Sequence, residues 1–296
     1  MDLHPGPDAE ALRAATAEWL VSRLPLDRAS NRPAGLWDEL EAMGWTALTL
    51  SEDKGGPGLD HATEALVFAE LGRHLAPLAL ISTAVARRWT GLDRRAALAI
   101  PDGAAGWRVL DPEGADRAIA VADQALGLFA FTSGEARPTI DLSTRQVRIG
   151  DASLDPIEAP AALLHLRVLL AAYAVGAADA ARDMAVEYAK LREQFGQPIG
   201  AFQAIKHICA DMAVQSAVAR SQLYYAACAL QEGDADVGFY IAAAQMLAVR
   251  AAIANGRANI QVHGGIGMTD EARAHLPLKR AHLLEHIAPP ALRALL

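Results

Sequence analysis

Cysteine is almost absent from this chain. Cys209 and Cys228 are the only two in 296 residues, and both fall inside helical patterns. That argues against a disulfide framework and makes a reducing, cytoplasmic setting the expected compartment. The first thirty residues lack a basic segment followed by an apolar one. Asp2, Asp8 and Glu10 stand there instead, which argues against a signal peptide. No run of Lys and Arg follows one face and the formal charge is −8, so nucleic acid is not an expected partner. A clean membrane span is missing too. The most apolar segment, Ala161 to Asp179, contains His165 and Arg167 and reads as a buried core helix. No internal repeat or low-complexity tract breaks the chain.

What is abundant is apolar residues, 52% of the total, with Ala, Leu and Arg dominating the long segments. These are strong helix formers, so the expected fold is mainly α. Three textures follow one another, and they set the expected domains at 1–98, 99–157 and 158–296. In the first, Ala9 to Leu24 places Leu12, Ala15, Trp19 and Leu20 on one stripe. Trp37 to Met43 and Ala62 to Leu71 read as short helices, separated by a glycine-rich loop, Ser51 to Gly58. In the second the period drops towards two. Arg117 to Val121, Leu126 to Phe131 and Gln146 to Ile149 read as strands of a small element with five or six strands. The third reads as four long helices at 161–193, 202–231, 235–262 and 271–287. Gly196 with Pro198, Gly233, and Gly264 to Gly267 are the breaks between them. Short connections imply antiparallel neighbours, hence a four-helix bundle.

Three segments carry candidate chemistry. In the first, Arg192 and Phe195 are three apart at a helix end, so they are expected to share a face. The Arg offers a planar fork of donors suited to phosphate oxygens, the Phe an apolar plate, and Gln203 a two-way amide. Spacing alone favours a plainer reading, a solvated helix-end cation and a core aromatic. The second segment is Gln261-Val262-His263-Gly264-Gly265-Ile266-Gly267, followed by Thr269 and Glu271. Consecutive glycines let a backbone come close to a ligand or to another chain. No strand precedes the run, so it is not a Rossmann fingerprint, and by spacing alone it is a tight helix–helix turn. The third comprises Gly44-Trp45, Glu52 and Gly55-Gly56-Pro57-Gly58, and it holds no obvious catalytic group. No metal site is expected.

In this order and at these separations, the segments resemble the acyl-CoA dehydrogenase family. The match takes in Gly44-Trp45, Gly55-Gly56-Pro57-Gly58 and Glu70-Leu71-Gly72-Arg73. It continues through Arg192…Phe195-Gly196…Phe202-Gln203…Asp211-Met212 and Gln261…Gly264-Gly265-x-Gly267 with Glu271. The resemblance implies an N-terminal helical domain, a middle β domain and a C-terminal four-helix bundle. It also implies FAD-dependent removal of two hydrogens from the α and β carbons of an acyl-CoA thioester. A carboxylate base and a water-poor pocket belong to that chemistry. In the family each flavin lies between subunits. Carried over residue by residue, Arg192, Phe195, Phe202, Gln203, Gln261, Val262, His263, Gly264 and Gly265 hold its pyrophosphate and adenosine end.

Two family features are absent. The β region spans only about fifty residues and has no Trp-x-Thr-type segment; Trp107 is followed by Arg108-Val109-Leu110. The base is missing as well. One family position is Arg250 here, eleven residues before Gln261, and the other is Ala288. Glu285, one turn earlier, is the nearest substitute, though a solvated helix-end carboxylate is its plainer role; His282 and His286 read as surface or interface residues. The ending Ala274 to Ala281 is similar to the short subunits of heteromeric members, notably those of steroid side-chain degradation. That resemblance implies a heterotetramer with a longer acyl-CoA dehydrogenase subunit, which carries the base and ring contacts, and an electron-transfer flavoprotein or similar acceptor. A self-sufficient homo-oligomer using Glu285, a non-catalytic scaffold and other acyl-CoA chemistry stay open.

Overall fold

The computed structural model describes residues 4–33, 35–103 and 106–290. The N-terminal part holds α1 (Pro7–Arg23), α2 (Leu36–Ala42), α3 (His61–Arg73) and α4 (Ala79–Thr90). The Asp60 side chain caps α3 by accepting from the Thr63 N–H at 2.7 Å, which satisfies one of the free amides of the first turn. Helix α4, which was not singled out from the sequence, is buried over most of its length. In the glycine-rich loop, a Cβ at Gly56 would lie 2.4 Å from Leu50, so only glycine fits there.

The middle part is β1 (Ala97–Pro101), β2 (Trp107–Leu110), β3 (Arg117–Ala122), β4 (Ala125–Ala130), β5 (Glu135–Ala136), β6 (Gln146–Ile149) and β7 (Asp155–Pro156). They form one seven-stranded sheet in the order β5-β6-β2-β1-β3-β4-β7, larger than the five or six strands expected. The pair β1–β3 is parallel and its neighbours are antiparallel. Side chains alternate between two cores, as the two-residue period of a strand requires. Leu98, Ile100, Leu110 and Ile119 join the main core beneath the helices. Ala97, Ala99, Trp107, Val109 and Phe129 form a second, smaller core, where Trp107 stacks on Phe129 at 5.3 Å.

The C-terminal part starts with α5 (Pro160–Leu191), whose proline sits in the first turn, where a missing N–H costs nothing. A hairpin of β8 (Glu193–Gln194) and β9 (Gln197–Pro198) follows, then α6 (Gln203–Glu232), α7 (Val237–His263) and α8 (Leu276–Glu285). Helix α5 is the axis of the molecule and packs against α3, α6, α7 and α8. It crosses α3 closely enough to require two glycines. A Cβ at Gly72 would lie 2.0 Å from the Tyr173 carbonyl oxygen, and one at Gly176 would lie 1.8 Å from that of Ala69. Left-handed Gly233 ends α6, as expected.

The bundle departs from the expected boundaries at two places. Helix α5 stops at Leu191 rather than 193, and Gly196 is a hairpin residue, not its cap. The fourth helix begins at Leu276 rather than 271. Pro277 belongs in a first turn and cannot stand inside a helix, so Glu271 lies outside α8 and caps nothing there.

Arg280 ties the three parts together. Its side chain is 0% exposed and is paired with Asp141. It also donates to Tyr173 Oη, to Ser143 Oγ at 2.8 Å, to Thr144 Oγ1 and to the Ala76 carbonyl at 3.2 Å. Every face of this buried cation therefore meets an acceptor, the condition under which a buried charge is tolerable.

Candidate functional site

The two C-terminal motifs meet at one end of the bundle. At the foot of α5 the Tyr188 ring stacks on His263, the last residue of α7, with centroids 4.1 Å apart and planes 22° from parallel. His263 Nδ1 donates to the Asn259 carbonyl at 2.9 Å, which fixes its ring orientation. Beneath the stack, Val262 packs with Ala181, Ala185, Ala189 and Met212 in a small core shared by α5, α6 and α7. Buried Gly267 completes the junction, since a Cβ there would meet the Ile260 carbonyl oxygen at 2.8 Å. No role for Tyr188 was legible in the sequence, because aromatic residues 75 apart carry no spacing signal.

Above this junction the motif residues face outward. Arg192, Gln203, Gln261, Gly264 and Gly265 are exposed, and Phe202 is half-buried. Arg192 and Phe195 do not share a helix face. Arg192 is extended (ψ 123°), and Phe195 sits at the tip of the β8–β9 hairpin. The tip residues Phe195 and Gly196 have φ of +54° and +80°, the two-residue turn that favours Asn-Gly. A phenylalanine there adopts a backbone that costs about 1 kcal/mol. Its ring is 92% exposed and stands edge-on to Phe202, with centroids 6.1 Å apart. An exposed aromatic held on a strained turn stabilises nothing in the fold, so it reads as a surface awaiting a partner. Nearby Leu191 and Met268 are exposed as well, at 79% and 72%.

The other family region, around Ala288, is closed. Ala288 is buried just beyond α8 in the left-handed region (φ +47°). Its carbonyl accepts from Arg167 Nε at 3.2 Å and from Gln245 Nε2 at 3.3 Å. Arg167 also donates to the Pro289 carbonyl and to Gln124 Oε1 on the β3–β4 turn, stitching sheet to bundle. Beside this stitch lies a cavity of about 210 Å³ lined by Ile100, Val121, Leu166 and Ala288. That is smaller than the roughly 300 Å³ from which small-molecule sites begin. Trp107 is packed against Phe129 inside the sheet's own core.

No base is well placed, either at the family positions Arg250 and Ala288 or at the substitute Glu285. Arg250 is exposed on α7. Glu285 is exposed at the end of α8, with His282 Nδ1 at 3.5 Å. A carboxylate that takes a proton from a weakly acidic C–H needs a drier setting than Glu285 has.

One buried polar cluster was not anticipated. Glu64, 1% exposed, accepts from His165 Nε2 at 2.7 Å and faces His61 Nδ1 at 3.3 Å. Trp89 Nε1 donates to His165 Nδ1 at 3.1 Å, so the proton of that ring lies on Nε2, towards the carboxylate. The three side chains have metal-like proximity, each offering an atom within 4.8 Å of the others. The Trp89 bond, however, puts a proton where a cation would need a lone pair. Burial alone would raise the Glu64 carboxyl; its interactions with His165, then those with His61, hold it at about 2. His61 is lowered by burial, against the raising effect of its Glu64 bond.

Comparison with known proteins agrees with this architecture. Residues 6–90 match the acyl-CoA dehydrogenase N-terminal domain and residues 159–287 the acyl-CoA dehydrogenase C-terminal domain. The chain is 37% identical over 292 residues to acyl-CoA dehydrogenase IpdE2 of Mycobacterium tuberculosis, covering 94% of this chain and 86% of that protein. Among solved structures, butyryl-CoA dehydrogenase from Megasphaera elsdenii superimposes with a TM-score of 0.82 at 21% identity, over 100% of this chain and 98% of that one. The Tcur3481-Tcur3483 steroid ACAD, solved as a variant, gives a TM-score of 0.79 at 25% identity, over 97% and 95%.

Proposed function

The chain belongs to the acyl-CoA dehydrogenase family, and from that premise we propose that it is the nucleotide-gripping subunit of a heteromeric, FAD-dependent enzyme. Its longer partner carries the flavin-ring site and the catalytic base, and the assembly introduces an α,β double bond into an acyl-CoA thioester. Bound FAD supplies the hydride acceptor. Arg192 presents its donor fork to the phosphates, Phe195 and Phe202 offer apolar faces to the adenosine end, and Gln203 and Gln261 hydrogen-bond to it. Open backbone at Gly264 and Gly265 permits close approach, since a Cβ at either would meet nothing within 4 Å. Elimination also needs a proton acceptor at the substrate α-carbon, and the partner brings it.

The observation that carries this reading is an asymmetry. The residues for the nucleotide end are gathered and exposed, while the Ala288 region is sealed by Arg167, Gln124 and Gln245. Unsatisfied apolar surface supports a partner as well. Among the described residues, two helices are long and apolar enough, by composition, to cross a membrane. The most apolar window of the first is 83% buried within this protein, that of the second (237–268) only 44%. We read the uncovered part of α7, with Val214 and Val218 on α6, as subunit interface in a soluble cytoplasmic heterotetramer. The steroid ACAD's name pairs two components, which supports a bulky side-chain substrate and a two-component assembly here. An electron-transfer flavoprotein or similar acceptor fits the same chemistry.

Coexpression with a longer family member that has a full β domain and a Glu at a base position tests the proposal. The complex is expected to purify yellow and turn over, and the lone chain to do neither. Stoichiometric FAD and full turnover by the lone chain would overturn it.

A further inference from the structure

A further cavity lies away from both regions above. It is a cleft of about 390 Å³ between the N-terminal segment around residues 29–37 and the loops of the sheet. Its polar wall holds Arg32, Arg95 and Arg145 against Asp111 and Glu113. Three cations minus two anions leave one positive charge in excess, within a chain whose formal charge is −8. Arg273 adds to the imbalance at the rim, donating to the lining residue Ser30 at 2.9 Å.

These cations are poorly compensated. Arg32 donates to the Leu75 carbonyl and Arg95 to the Asp111 carbonyl at 3.0 Å, neutral acceptors in both cases. The Nε atoms of both are buried and bond to nothing among the described residues. Glu113 is shared loosely between two cations, 4.0 Å from Arg95 and 3.5 Å from Arg145, which donates to it. Asp111, a buried carboxylate, acts on both Arg32 and Arg95 through its charge without a direct ion pair to either, while its Oδ2 accepts the Leu78 N–H at 2.7 Å. Burial lowers both Arg32 and Arg95 from the ordinary guanidinium value, consistent with under-solvated charge. Arg280, by contrast, has a buried carboxylate of its own.

Two buried guanidiniums that share one buried carboxylate are incompletely compensated, and an oxyanion in the cleft would offset that cost with bidentate geometry. The cleft is also larger than an inorganic ion needs. Leu36, Pro77 and Leu142 line its remainder, and Trp37 is held flat beneath the Arg95 guanidinium at 4.1 Å. We propose that this cleft is a second binding site, for a small organic oxyanion, a phosphate monoester or a carboxylate. Arg95 and Arg32 grip the charged head, and Trp37 with Leu36 shelters the carbon portion.

Titration calorimetry on the full chain tests this with glycerol 3-phosphate, inorganic phosphate and succinate, each against chloride at matched ionic strength. Saturable one-to-one binding of at least one is expected, and which one binds tells phosphate from carboxylate. Arg95→Gln is expected to weaken it about tenfold, the worth of one charge-assisted hydrogen bond. Arg145→Glu, at a side chain 81% exposed and hence safe for folding, is expected to weaken it several-fold. Arg192→Gln, at the bundle end, should leave it unchanged. Absence of saturable heat with all three probes, or undiminished binding in Arg145→Glu and a folded Arg95→Gln, would overturn the assignment.

Discussion

Tyr188 lies flat on His263, and this one stack holds the last turn of α5 against the last turn of α7. Tyr188→Leu keeps most of the apolar contact but removes the ring pair. It should cost about 1 kcal/mol in urea unfolding. It should also lower FAD affinity in the complex, because both clamp segments hang from this junction. Unchanged FAD affinity in the variant would uncouple the stack from the clamp.

Phe195 sets stability against function. Phe195→Asn places a residue suited to the hairpin turn at φ +54° and removes an exposed ring. Stability is expected to rise by about 1 kcal/mol while FAD retention by the complex falls. Thermal unfolding and flavin absorbance measure the two effects separately, and loss of stability would contradict the strain argument.

The α3–α5 crossing has no room for a methyl group. Gly176→Ala would drive a Cβ into the Ala69 carbonyl and force the helices apart. A loss of about 3 kcal/mol is expected in chemical denaturation, the upper end of overpacking costs. At Gly196, where a Cβ meets open space, the same substitution costs only the strain of its left-handed backbone.

Acid should weaken the fold through the Glu64 cluster. Glu64 titrates at about 2 folded against 4.5 in the unfolded chain, so its contribution is complete above 4.5 and fades as pH falls towards 2. His61 acts in the same direction. Its folded value lies below 6.5, so the unfolded chain takes up a proton first, and stability declines as pH drops below 6.5. Urea midpoints should fall between pH 8 and 2, and Glu64→Gln should be destabilised at pH 7 with a flatter slope below pH 4.5. An acid slope as steep as the wild type's would show that the titration lies elsewhere.

Much of this architecture was legible in the sequence because it is local. Helical periodicity marks α5, α6 and α7, and Gly233 marks the turn between two of them. The hairpin at 193–198 was not legible, because a separation of three between Arg192 and Phe195 suits a helix equally well. What decides it is tertiary: the chain doubles back so closely that a Cβ at Gly200 would lie 3.0 Å from the Ala189 carbonyl oxygen. The two-residue strands β5 and β7 are too short to show a period. The seal around Ala288 joins Arg167 to residues 43 and 121 positions away, and no local pattern encodes such a contact.

The placement of Arg280 bears on how the protein is made. Its partner Asp141 is 139 positions earlier, in the loop that leads into β6. On the ribosome the sheet region emerges long before its counter-charge, so Asp141, Ser143 and Thr144 stay in water until almost the last helix is synthesised. Completion of the fold is therefore a late, long-range event, and the nascent chain must hold an unfinished sheet in the meantime.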